Sequence, residues 1–171
     1  VVLVLVVATT RPGVVESMGR WVSHEQVARV DLGPLPRMAA EELVRQTAPN
    51  TSATAVRAVL GRAEGNPLYL RELALGSQGE DPLPETIEGV IRARFDRLPI
   101  GIRDVLQAGA LWGRSFTHEG VSALLDARAD LAKSLVLLEQ GRFIHRTQSV
   151  AQDAGWRFDH GLLHEVVYAG I

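Results

Sequence analysis

Apolar residues recur at helical spacing along most of this 171-residue chain, one unbroken apolar run opens it, and two short strand-like stretches stand near its end. Together these predict a mainly α protein with minor β structure. The opening run reads as strand and the middle as packed helices. The last third reads as three helices, a β-hairpin and a closing helix, the order of a winged-helix domain. Breaks at Gly33-Pro34-Leu35-Pro36 and at Pro99 divide the chain into 1–35, 36–98 and 99–171.

Val1 to Ala8 is apolar at every position, as in a parallel strand covered on both faces. Pro12 ends it, because proline cannot continue a central ladder. Ala28 to Leu32 reads as a second short strand. From Pro36 the period becomes helical. One helix is expected over Arg37 to Ala48, and a second capped by Thr51 or Ser52. Asn50-Thr51-Ser52 is formally a glycosylation sequon but reads here as cap chemistry. A third helix follows Gly65-Asn66-Pro67, and a fourth spans Pro84 to Leu98. In that fourth helix Arg92, Arg94 and Arg97 alternate with Glu88 and Asp96 and read as a solvated face. Beyond Pro99 a helix ends at Gly113, a shorter one is capped by Thr117, and a third runs from Asp130 to Gln140, stopped by Gly141. Strand-like pieces at Arg142–Thr147 and Gly155–Asp159 precede a last helix carrying Leu162, Leu163, Val166, Val167 and Tyr168.

Composition narrows the function classes. The chain is 46% hydrophobic and 22% charged, with net charge −2, so no global field attracts nucleic acid or anionic lipid. Absence of cysteine excludes disulfides and thiolate metal sites. The opening run is too short to span a bilayer and lacks a basic leader, so a cytoplasmic protein without membrane contact is expected. Beginning at Val1 inside an apolar run, the chain reads as a piece of a longer protein.

Two stretches carry the candidate binding residues. Thr10 and Arg11 follow the first strand, and open α/β sheets bind ligands beyond the carboxyl ends of their strands. Gly65 suits a helix stop, Asn66 is a strong N-cap, and Pro67 fits the first helical position. Such a corner offers a rigid proline ring to a flat apolar group such as a purine base.

Three segments then point to one family: Leu5 to Pro12 (Leu-Val-Val-Ala-Thr-Thr-Arg-Pro), Gly65 to Leu73 (Gly-Asn-Pro-Leu-Tyr-Leu-Arg-Glu-Leu) and Trp156 to Tyr168 (Trp-Arg-Phe-Asp-His-Gly-Leu-Leu-His-Glu-Val-Val-Tyr). The chain resembles the carboxyl-terminal half of the ATPase module of STAND-class, AAA-like NTPases. Within these it is most similar to bacterial multidomain regulators bearing class III nucleotide cyclase, protein kinase or LuxR-type domains. The resemblance implies the last parallel strands of a P-loop α/β core, a helical lid and a winged-helix domain. It also implies that Arg11, with Thr10, reads the terminal phosphate. Pro67, with Gly65 and Asn66, would pack near adenine, and His160 would touch the β-phosphate of ADP. Relatives with the clearest switch carry Met-His-Asp there, and Asp159 before His160 departs from that pattern. The implied ligands are ATP and ADP, with Mg²⁺ held by an amino-terminal part. The implied partners are the P-loop core of the same protein, an attached effector domain, and copies of itself in a nucleotide-dependent oligomer.

No Gly-x-x-x-x-Gly-Lys-Ser/Thr occurs, and no apolar strand ends in paired acids. Phosphoryl transfer therefore has no platform within these residues, and no residue is assigned a catalytic or metal-binding role. The parent is expected to be an ATPase-type NTPase whose catalytic side lies elsewhere. Three rivals remain. A nucleotide-independent interaction scaffold would share the fold. A DNA-binding winged helix would need a basic recognition helix, yet the helix near 130–140 offers Lys133 against Asp130 and Glu139. A zinc site at His160 and His164 has the wrong order relative to Glu165 and lacks a third ligand.

Overall fold

The computed structural model describes residues 4–10, 27–78, 82–125, 130–148 and 154–171. The chain divides into two units, Val1–Gly33 and Pro34–Ile171. In the first, the described residues 4–10 and 27–33 are exposed and form no strand, with Arg29 paired to Asp31 at 2.7 Å. This corrects the strands expected at Val1 to Ala8 and Ala28 to Leu32 over their described residues. A buried parallel strand needs ladder partners and covering helices, and neither stretch pairs with another strand among the described residues.

The second unit opens with four helices, α1 (Arg37–Thr47), α2 (Ala53–Ala63), α3 (Pro67–Gly76) and α4 (Ile87–Asp96). Local chemistry sets where they start. Ser52, rather than Thr51, caps α2, its hydroxyl accepting from the Ala55 amide at 3.2 Å. Thr86 caps α4 by accepting from Gly89 at 3.1 Å. The helix therefore begins three residues after the expected Pro84, whose carbonyl instead accepts from the Arg62 guanidinium.

The remainder runs α5 (Ile100–Trp112), β1 (Ser115–Phe116), α6 (His118–Ser122), α7 (Leu131–Gln140), β2 (Ile144–Gln148), β3 (Ala154–Phe158) and α8 (Gly161–Tyr168). The strands form one antiparallel sheet in the order β1-β3-β2. Phe116 lies opposite Trp156, and Ile144 opposite Phe158. Strand β1 was not expected, because two residues cannot display an alternation. Gly141 caps α7 through its amide to Leu137, but the left-handed residue is the next one, Arg142 at φ +55°.

A single apolar core joins these elements, from Ala40 and Val44 on α1 to Leu163 and Val167 on α8. Helix α3 packs on α1, α2 and α4, and α8 packs on both α4 and α5. Leu70, Ile91, Leu106, Leu138, Ile144 and Leu163 are almost fully enclosed. Each such side chain contributes about 1.5–3 kcal/mol of burial. This core fixes α3, α4 and α8 against one another and so positions the groups described next.

Candidate functional site: a buried carboxylate between the helical layer and the closing helix

The corner before α3 forms through its own residues. Glu64 and Gly65 are both left-handed, at φ +48° and +76°. Asn66 then accepts from the amides of Leu68 at 3.0 Å and Tyr69 at 3.4 Å. Those amides, which would otherwise face an anion at the helix start, are thus occupied. Asn66 and Pro67 are exposed, so the corner presents a proline ring rather than free donors. Gly65 is gripped from behind. Its carbonyl accepts from the Leu35 amide at 2.9 Å, and a Cβ added to it would lie 2.8 Å from Pro34 Cβ.

Five residues into α3 stands Glu72, only 2% exposed. One carboxylate oxygen accepts from the Arg94 guanidinium of α4. The other takes Nε2 of His160 at 3.0 Å. Arg94 is 7% exposed and also donates to the Gly141 carbonyl at 2.8 Å. Its guanidinium lies over the Phe143 ring, 4.7 Å from the centroid, a favourable cation–π placement. Burial pushes the Glu72 carboxyl up. The His160 hydrogen bond, the Arg94 charge and the Arg94 hydrogen bond outweigh burial, so it sits below the usual glutamate value of 4.5. Arg94 therefore does not belong to the solvated face expected of it. Arg92 does, in an exposed pair with Asp96 at 3.4 Å.

His160 serves two elements at once. Its Nδ1 accepts from the Leu163 amide at 3.1 Å and caps α8. The proton then resides on Nε2, which donates to Glu72. With Asp159 held by His145 at 2.9 Å, the Asp-His pair is anchored on both sides.

Of the sequence-predicted residues, Gly65, Asn66 and Pro67 form the start of α3, and His160 reaches that same helix through Glu72. Thr10 is exposed in the other unit. Arg11 lies outside the described residues. His164 turns to the Ala110 carbonyl at 3.1 Å and packs between Phe158 and Tyr168, away from any partnership with His160. A recess of about 200 Å³ opens beside the cluster, lined by Leu75, Gln78, Arg94, Arg97 and Phe143. Among the described residues no group of three metal-ligating side chains converges.

Glu72 and Arg94 were missed from sequence. One signal was available: Arg94 falls within the stripe Val90, Ile91, Phe95 and Leu98 that packs on the core, where a solvated arginine does not belong. No family model matches the chain, and no curated protein matches it.

Proposed function

We propose that the chain is the lid and winged-helix portion of a STAND-class, AAA-like signalling ATPase, which holds ATP or ADP between domains and transmits its state to an attached effector. The observation that carries this is the path from Pro67 to His160. The residue expected beside adenine starts a helix, and that helix holds the residue expected at the phosphate. The helix, strand, two helices, hairpin and helix of residues 100–168 support the winged-helix assignment. In this reading residues 1–35 belong to an α/β core completed elsewhere in the parent, and Thr10 and Arg11 approach the nucleotide from there, with Mg²⁺ bound by that core.

The test is titration of fluorescent ATP and ADP into the intact parent protein and its Arg11→Ala, Pro67→Ala and His160→Ala variants. Selective weakening of ATP by the first and of ADP by the last is expected. Equal binding by all four proteins rejects the assigned roles.

A second reading has its own observation. The outer face of α7 presents Val136 and Leu137, each about two-fifths exposed, with Lys133 its one cation. Such a face suits a protein partner better than a phosphate backbone. It favours a nucleotide-independent scaffold over a DNA-binding domain.

A further inference from the structure

We propose that Glu72, Arg94 and His160 form a latch that fastens α8 and the turn before β2 to the helical layer α1–α4, and that it opens from the histidine side. The latch goes beyond the nucleotide reading, because it consists wholly of this chain's side chains and holds or opens with no ligand present.

The contacts at this joint differ in kind. Most are apolar, and apolar surfaces set no unique register. The Glu72 cluster is directional and charge-assisted. From one carboxylate it reaches α4 through Arg94, the end of α7 through the Gly141 carbonyl, and the start of α8 through His160. Among the described residues, the other polar ties of α8 run to α5 and the residues after it. Gln107 to the Gly170 carbonyl at 3.2 Å, which binds the far end of α8, stands beside His164 on the Ala110 carbonyl at 3.1 Å and Arg114 with Glu165 at 3.0 Å. None of these three involves the helical layer.

Accessibility sets the order of opening. Glu72 and Arg94 side chains are 3% and 6% exposed, whereas that of His160 is 18% exposed. The buried pair stays together, since separating it would strand two charges in the interior. The imidazole is the member that solvent or a ligand reaches. Its departure has a fixed consequence, because the same ring caps α8. A ring that swings off Glu72 also withdraws Nδ1 from the Leu163 amide, so release and fraying of the first turn of α8 are one event. That coupling makes two discrete states of the joint rather than a gradual slide.

The two ring nitrogens are separable by substitution. His160→Asn keeps an acceptor for the cap and is too short to reach Glu72. His160→Gln keeps a donor toward Glu72 and gives up the cap. Both leave the Glu72–Arg94 pair intact. Amide hydrogen exchange would be measured on the whole 171-residue chain without nucleotide. His160→Asn is expected to speed exchange across 158–168 by roughly ten- to a hundredfold, with 53–63 unchanged and 141–144 still held through Arg94. His160→Gln is expected to speed only the first turn of α8. A uniform rise that includes 53–63, or no rise across 158–168 in His160→Asn, overturns the latch. If His160→Asn does not fold, His160→Gln decides alone, since loss of protection at 141–144 with its Glu72 donor present contradicts the proposal. None of these outcomes depends on whether nucleotide binds.

Discussion

Nε2 of His160 lies 3.0 Å from Oε1 of Glu72, a residue 88 positions earlier in the chain. The remaining carboxylate oxygen is taken by Arg94, so this buried acid is held in its charged form from two sides. Its carboxyl group is depressed below the usual value of 4.5. A depressed acid contributes stability that is present above the unfolded value and lost as pH falls through the folded one. Stability is therefore expected to decline below about pH 4.5, with Glu72 responsible for part of the slope. Urea midpoints across acid pH, for wild type and Glu72→Gln, check this. At neutral pH the substitution is expected to cost about 3–5 kcal/mol, since it leaves Arg94 buried without its counter-charge. An unchanged acid slope in the variant would contradict the assignment.

The corner before α3 makes opposite demands on two adjacent residues. Gly65 at φ +76° has Pro34 and the Leu35 carbonyl where a side chain would go. Gly65→Ala is expected to destabilise by about 1–3 kcal/mol. Glu64 adopts φ +48° with an exposed side chain, and a non-glycine residue there costs roughly 1 kcal/mol. Glu64→Gly is thus expected to be neutral or stabilising by up to about 1 kcal/mol. Paired thermal melts give both signs in one experiment.

Asn66 satisfies two amides of α3. Asn66→Ala should lower stability by about 1 kcal/mol, and Asn66→Ser should restore most of it. Equal losses in both variants would show that the amide side chain contributes something other than the cap.

Thr51 stands just before the cap of α2, its hydroxyl oxygen buried without a hydrogen-bond partner among the described residues. An unsatisfied buried polar group costs about 1–3 kcal/mol. Thr51→Val, which keeps the shape, is expected to raise the melting temperature. A drop would mean that the hydroxyl has a partner in solution.

What was legible in the sequence follows from the range over which each force acts. Caps act within three residues, and Ser52, Asn66 and Thr117 all cap the helices that their positions suggest. Helix cores at Val56, Val59, Val90, Ile91, Leu135 and Leu138 follow from periodicity. The opening strands did not follow, because a β-branched run states a preference while a strand also requires neighbours. Glu72 and Arg94 lie 22 positions apart, and nothing local tells a buried ion pair from two solvated charges. Residue by residue, His160 was visible, but its partner was not. Strand β1 exists only because Phe116 and Ser115 meet Trp156 and Arg157.

The bond from the Leu35 amide to the Gly65 carbonyl has a mechanical consequence. The first residues of the helical unit are stapled to the corner that starts α3, beside Pro34. Tension applied to the chain at residue 34 is thus shared between α1 and the corner. The part taken by the corner reaches the root of the helix that bears Glu72, which is joined to His160 and the closing helix. A pull at one end of the unit is felt, along a stiff lever of α-helix, at the other.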